Sequence, residues 1–361
     1  MAKRPLPIES NAEPKRKKNK KNESTTPKLA ANGQGHNLEP SAVKNSTSPY
    51  IPNPELDSLP QATVDEYLKA NSIDIADQGE AEPLRPITSF SFLPQPSEPL
   101  YRPLKAFSAP TPIQAVSWPL AFAGRDVIGV AETGSGKTLA FGLPCLRKIL
   151  ELNSSRKSRR LSAVIITPTR ELAMQIYDQL LKFTSSVDVG IACIYGGAPK
   201  DQQRREARNA SIIVATPGRL KDFQSEQGID LSKVKYLVLD EADRMLDKGF
   251  EQDIRDIIGT MPSARKRQTI MFTATWPDSV KNLAATFTRD PVTITIGERT
   301  SDIRANDRIK QVVEVLNPHE KDGRLLEVIR KYQGKDNSSD SINVFCLYKK
   351  EAMRVVYGHP F

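Results

Sequence analysis

Hydrophobic residues in this chain follow two regimes that change near residue 86. Beyond it, short unbroken apolar runs rich in Val and Ile read as strands at 126–131, 162–167, 189–195, 211–215, 234–239, 268–273 and 292–296. Amphipathic stretches separate most of them, at 137–151, 170–184, 199–209, 217–224, 250–261 and 277–288, and read as helices. A run with no polar alternation has no solvent face, so the pattern predicts an α/β domain, a parallel sheet with helices on both faces. Ligands of such sheets bind beyond the carboxyl ends of the strands.

Before that change the chain is polar. Residues 1–55 are rich in Lys, Asn, Ser, Thr and Pro and nearly free of aromatics, so they are expected to form a disordered basic tail. An acidic linker is expected over 56–85, with a short helix in 61–76 around Val64, Tyr67 and Leu68 whose acids could fold back on basic surface. The domain then runs from 86 to 297, an interdomain linker from 298 to 307, and a further segment from 308 to 361. The last reads strand, helix, strand at 308–316, 320–332 and 342–348.

With 361 residues, 38% of them apolar, the chain has room for about two domains. No apolar run approaches the ~18 residues of a membrane span, and the polar, basic N-terminus does not read as a secretory signal. Cys145, Cys193 and Cys346 lie far apart, which argues against a disulfide framework or metal site and suits a reducing compartment. His36, His319 and His359 have no partners at ligand spacing, and Trp118 and Trp276 read as packing residues. The net charge is +9. Nine Lys/Arg against three Glu in 1–28 nearly cancel eight acids against Lys69 in 55–82, so the excess sits on the folded body and points to a polyanionic partner. The run Pro14-Lys15-Arg16-Lys17-Lys18-Asn19-Lys20-Lys21 reads as a nuclear import signal or nucleic-acid-binding arm, or else as a solvated charge run.

The strongest chemical signal is Ala131-Glu132-Thr133-Gly134-Ser135-Gly136-Lys137-Thr138, between an expected strand and an expected helix. Such a small-residue loop gathers backbone N–H groups and a helix N-terminus around one point, which attracts phosphate. Lys137 reaches the β and γ phosphates of ATP as a point charge, and the Thr138 hydroxyl is placed to ligate Mg²⁺. An ordinary Gly/Ser turn is the alternative. The generic phosphate-loop pattern has Gly where this chain has Ala131. Asp240-Glu241-Ala242-Asp243 closes the expected strand at 234–239. In a protein with a phosphate loop, Asp240 suits holding the metal and Glu241 suits orienting or deprotonating the attacking water. Alone, the cluster could be a solvated acidic turn.

These residues carry a resemblance to the DEAD-box RNA helicases, whose name is spelled by residues 240–243. That family's first motif begins with Ala, which accounts for Ala131. Pro110-Thr111-Pro112-Ile113-Gln114 is similar to its adenine-reading segment, Gln114 pairing with the adenine edge. Phe90 matches the aromatic that stacks on the base, with Phe92 an alternative, and Ala106-Phe107 stands where Gly-Phe is usual. Pro168-Thr169-Arg170-Glu171-Leu172-Ala173, Gly196-Gly197 and Thr216-Pro217-Gly218-Arg219-Leu220 resemble its RNA-contacting motifs. Each lies between strand and helix, where N–H dipoles, hydroxyls and an Arg can meet a ribose-phosphate track without reading sequence. Each could also be a turn or helix cap. Thr273-Ala274-Thr275 matches the motif coupling ATP state to unwinding, and the Thr273 hydroxyl is expected to bond near Asp243.

The resemblance covers about 86–356 and thins after 297. It implies a RecA-like domain followed by a partial second one, opening at Val344-Phe345-Cys346-Leu347-Tyr348. The family's later arginines, which reach the γ-phosphate, have no counterpart among these residues. Such an arginine contributes ~10³ to 10⁵ in rate, so the chain as given is expected to bind nucleotide but hydrolyse it poorly and not unwind. Its last ~55 residues are also expected to be too few to close a sheet. The resemblance implies an ATP-dependent RNA helicase with ATP and Mg²⁺. It is nearest to fungal nucleolar members acting on pre-rRNA in pre-ribosomal particles, hence nucleus and nucleolus. Alternatives are a truncated, non-unwinding ATP- and RNA-binding module, or another ATPase using the same loop on DNA.

Overall fold

The computed structural model describes residues 50–77, 84–95, 98–154, 160–297, 310–333 and 342–358. Helices α1 (Pro54–Asp57) and α2 (Gln61–Ala70) lead into a strand, β1 (Ile73–Ala76). After 3₁₀ turns at Phe90–Phe92 and Pro99–Ala106 come α3 (Pro112–Phe122), β2 (Val127–Val130), α4 (Lys137–Ser154), β3 (Ala163–Ile166) and α5 (Arg170–Thr184). The alternation continues through β4 (Ile191–Ile194), α6 (Lys200–Ala207), β5 (Ile212–Ala215), α7 (Pro217–Ser225) and β6 (Tyr236–Leu239). It closes with α8 (Ala242–Asp247), α9 (Glu251–Gly259), β7 (Gln268–Thr273), α10 (Asp278–Phe287) and β8 (Val292–Ile296). Helices α11 (Lys321–Tyr332) and α12 (Lys349–Gly358) follow, joined by a bidentate pair from Arg354 to Asp322 at 2.8 and 3.0 Å.

The sheet order is β1-β8-β2-β7-β6-β3-β5-β4, parallel throughout except for β1, which runs antiparallel on β8. Its strands alternate between two apolar layers. Val127, Ile165, Val214, Val238 and Phe272 face a core shared with α3, α4 and α5, whereas Ile128, Ile166, Ala215, Leu237 and Met271 face one shared with α7 to α10. Burial on both faces explains why the runs lack polar positions. Gly129 leaves room for the Phe272 ring, which a Cβ there would meet at 2.1 Å. At the strand starts, Asp126 accepts from Thr269 N at 2.7 Å and Arg289 N at 2.8 Å, fastening β2 to both neighbours.

Four expectations need correction. The segment 56–85 is not simply a linker, because Leu56 is fully buried and β1 extends the sheet. Its Ile73-Asp74-Ile75 alternation is the signature of a half-exposed edge strand, but four residues carry little signal. Order also begins before residue 55, since Tyr50 stacks on Phe122 with centroids 6.0 Å apart. The described residues 310–316 and 342–348 form no strand, and Val313, Val315, Phe345 and Leu347 are exposed; no described strand runs beside them to supply ladder hydrogen bonds. Residues 1–49, with the Lys/Arg run, and 298–309 lie outside the described residues.

Candidate active site and RNA-facing surface

The loop 131–136 leaves β2 and enters α4 through Gly134 at φ +82° and Gly136 at φ +93°, conformations that glycine adopts without cost. Ala131 N donates to Thr273 O at 3.0 Å, pinning the loop's first residue to β7. Thr133 and Gly134 form the exposed tip, and Ser135 Oγ donates back to Glu132 O at 2.8 Å. Lys137 is buried at the first turn of α4, its Nζ donating to Ala131 O at 3.0 Å. Thr138, half-buried, follows it.

Gln114 reaches this loop from α3. Its Oε1 accepts from Thr111 N at 3.1 Å and its Nε2 donates to Gly136 O at 3.0 Å. Each amide end therefore already has one protein partner. One N–H and one acceptor lone pair remain, the pair needed for an adenine edge. Phe90 lies beside Trp118 at 6.2 Å between centroids, and Trp118 Nε1 donates to Leu139 O in α4 at 3.0 Å. Trp118 is thus the packing residue expected, and it also braces the helix that carries Lys137.

Two strands away, Asp240 ends β6 and is almost wholly buried. Desolvation is the main reason its carboxyl is pushed up to about 7; the Lys137 charge opposes this and Glu241 and Asp243 add to it. Glu241 takes a left-handed conformation, φ 54° and ψ 52°, rare for a residue with a side chain and of the kind found at functional turns. Its Oε2 accepts from Arg244 Nη1 at 3.2 Å. Asp243 faces β7: its Oδ2 accepts from Ala274 N at 3.2 Å, Thr275 N at 2.9 Å and Thr275 Oγ1 at 2.9 Å. Here the expectation for Thr273 is overturned. Its hydroxyl donates to Thr275 O at 2.9 Å, because β7 turns after Thr273 and the residue two places on is the one that faces Asp243.

The residues fit a magnesium nucleotide. A buried carboxylate whose ionisation is suppressed gains from a nearby dication, and Mg²⁺ asks the protein for only one or two ligands, taking the rest from phosphates and water. Among the described residues no cluster of three or more His, Cys, Asp or Glu forms an independent metal cage.

The other half of the sheet carries the remaining motifs. Thr169 caps α5, its Oγ1 accepting from Leu172 N at 3.2 Å, after Pro168 has set the turn. Arg170 and Glu171 are exposed and paired at 2.7 Å. Gly197 is at φ +91°, and a Cβ there would lie 3.5 Å from Arg170 Nη1, so the turn at Gly196-Gly197 borders the start of α5. Thr216, Pro217 and Gly218 open α7, Thr216 N donating to Ile194 O at 3.0 Å. Arg219 is mostly buried: its Nη1 donates to Ala198 O at 3.0 Å and Gln203 Oε1 at 3.1 Å. It braces the Gly-Gly turn from beneath, which differs from the expected open phosphate contact. Gln203, which no motif points to, completes the brace by donating from Nε2 to Tyr195 O at 3.2 Å.

Sheet order sorts these motifs. The phosphate loop, the coupling motif and the acidic motif end β2, β7 and β6, three consecutive strands, and the other three motifs end β3, β5 and β4, the next three. The first group has the features of a nucleotide site, and the second presents turns and helix starts to a chain laid across them.

This arrangement and the sequence place the chain in the DEAD-box family of ATP-dependent RNA helicases, a class of ATP-hydrolysing enzymes. The DEAD/DEAH box helicase model matches residues 111–283. The chain is 66% identical over 367 residues to the ATP-dependent RNA helicase DBP3 of Coccidioides immitis, covering 98% of this chain and 71% of that relative. It is 61% identical over 356 residues to its namesake in Ajellomyces capsulatus, covering 98% and 69%. Among solved structures, the yeast DEAD-box splicing factor Prp28 matches 84% of this chain and 69% of its own at 31% identity, with a TM-score of 0.59.

Proposed function

We propose that ATP with Mg²⁺ is held at the ends of β2, β7 and β6, that RNA backbone crosses the ends of β3, β5 and β4, and that hydrolysis is coupled to local opening of RNA duplexes. The observation that carries this reading is the strand order, which separates the two motif groups into adjacent halves of one sheet edge. In this reading Lys137 leaves Ala131 O to meet the β and γ phosphates, the loop N–H groups around Gly136 cradle them, and Gln114 and Phe90 take the adenine. Asp240 and Thr138 would hold the metal ion, which supplies charge neutralisation at the transferring phosphoryl group. Glu241 orients the attacking water and accepts its proton. Asp243, bonded to Thr275, transmits the state of this half through β7.

The substrate class is sequence-independent RNA backbone, in keeping with motifs at β3, β5 and β4 that offer turns, helix starts and, among the described motif residues, the exposed Arg170. The lysine-rich run at 15–21 and the family likeness support action on pre-rRNA in pre-ribosomal particles of the nucleolus. The chain carrying Lys137→Ala should lose nucleotide affinity in a filter assay while keeping its fold. Because the family's γ-phosphate arginines have no counterpart among these residues, the test of Glu241→Gln is read in single turnover: ATP and RNA binding should be kept and the slow RNA-stimulated phosphate release lost, and release at the wild-type rate would contradict the reading. RNA should stimulate turnover more than DNA of the same sequence. Deletion of 1–55 should abolish nuclear accumulation, and unchanged accumulation would remove the import role of the basic run.

A further inference from the structure

The pole of the sheet opposite these motifs carries its own charge pattern. Where β3, β6 and β7 begin, three adjacent strands, stand Arg160, Lys233, Lys235, Arg265 and Lys266. Main-chain bonds tie the three strand starts together, Lys235 N donating to Ser162 O at 2.7 Å and Gln268 N to Lys235 O at 2.9 Å, and the Ser162 side chain adds a bond from Oγ to Arg160 O at 3.1 Å. Four of the five side chains are exposed and Lys235 is half-buried, its Nζ 3.4 Å from Lys266 O. Among the described residues none of the five makes an ion pair. Hydrogen bonds from Ser232, including one from Ser232 N at 2.8 Å, hold the Asp230 carboxyl below the usual range and the nearby Lys233 charge adds to this, but Asp230 and Lys233 form no ion pair.

The contrast with neighbouring strand starts is informative. Arg125, before β2, is neutralised by Asp77 at 2.7 Å, and Arg289, before β8, lies 3.3 Å from Asp290. Among the described residues, the cations at the three central strand starts have no ion pair, and exposed Arg208, before β5, has none either. Adjacent strands are ~4.8 Å apart, so three span about 10 Å. A duplex presents one phosphate per ~3.4 Å of each strand, so about three phosphates fall within that width. The row is separated from the motif pole by at least the length of a four-residue strand, about 13 Å, and none of its residues belongs to the ATP or RNA motifs.

We propose that this pole is a second, sequence-independent contact for the phosphate backbone of RNA, engaging duplex or trailing strand outside the motif track. A row of mostly exposed lysines and arginines, with no exposed aromatic beside it among the described residues, suits backbone contact and not base readout. Its effect would be to raise affinity for long or structured RNA while leaving short single strands indifferent.

The test compares the wild-type chain with the triple variant Arg160→Gln, Lys233→Gln, Lys266→Gln, using a single strand of about ten nucleotides, within one motif track, and the same strand extended by a hairpin duplex. The short strand should bind both proteins equally, which also checks the motif track by itself. The hairpin RNA should lose about tenfold or more, and the slope of log affinity against log salt should flatten by about 2 to 3. The charge-retaining variant Arg160→Lys, Lys233→Arg, Lys266→Arg should restore both. Unchanged hairpin binding, or an equal loss for both RNAs, would overturn the proposal. So would loss of binding to poly-L-glutamate alone, which would assign the row to an acidic protein.

Discussion

The side-chain amide of Gln114 donates to the carbonyl oxygen of Gly136 at 3.0 Å, and that same carbonyl accepts the first-turn hydrogen bond of α4 from Ala140 N at 3.3 Å. One residue of α3 thus fixes the hinge between phosphate loop and helix. A Cβ on Gly136 would fall 2.6 Å from Gln114 Nε2 and 2.8 Å from Thr111 Oγ1, at a φ of +93° that side chains avoid. Gly136→Ala should therefore cost at least tenfold in affinity for an ATP analogue, measured by calorimetry, with the melting temperature lowered as well. Wild-type affinity would contradict the hinge role.

Asp243 offers one oxygen to three donors on the segment after β7 and its other oxygen to Arg244 N at 3.0 Å. Asn has one acceptor oxygen, so Asp243→Asn must turn an N–H₂ toward a donor set on one side. Roughly 1–3 kcal/mol of stability should be lost. RNA-stimulated ATP turnover should fall further than ATP binding, which a paired turnover and calorimetry measurement separates.

Gln203 and Arg219 grip the carbonyls of Tyr195 and Ala198 on either side of the Gly-Gly turn. Gln203→Leu removes both a donor and the acceptor of Arg219 while preserving bulk. The expected outcome is weaker binding of a short RNA strand, by about three- to tenfold if ~1 kcal/mol of turn positioning is lost, with ATP affinity unchanged. Equal losses of both would assign the pair to general stability.

Burial pushes the Asp126 carboxyl up to about 6 from 3.8, the hydrogen bonds from Thr269 N and Arg289 N working against the shift. The native state then holds this proton more tightly than the unfolded chain does. Between about pH 4 and 6 the unfolded state binds fewer protons, so this residue makes stability fall as pH rises, by roughly 3 kcal/mol at most. Asp240, pushed up to about 7, acts in the same sense at slightly higher pH. Denaturant melts of wild type and Asp126→Asn across pH 4 to 6 should therefore differ in slope, the variant being flatter. Parallel curves would show that Asp126 stays ionised in the fold.

Much of this was legible in the chain itself. The seven parallel strands and the helix from Arg170 to Thr184 lie where unbroken and amphipathic runs put them, because burial on two faces or one leaves a periodic record. The pattern gives no such expectation for α3, apolar nearly all round with prolines at 112 and 119, or for β1, whose pairing partner is more than two hundred residues away. The motifs named the glycines, the lysine and the acids, since phosphate and metal chemistry restricts residue type. They did not name Gln203, an ordinary polar residue inside a charged helix.

What the sequence alone determined is which local conformations and chemistries are available: strand interiors without polar positions, glycines at turns, a lysine and carboxylates at strand ends. Tertiary structure decided who meets whom. That Asp243 bonds Thr275 and not Thr273, that Arg219 lies beneath a turn, and that cations from three distant segments align at one pole all depend on strand order and on the direction in which each chain leaves the sheet. Those are properties of long-range packing, which shorter-range periodicity does not encode.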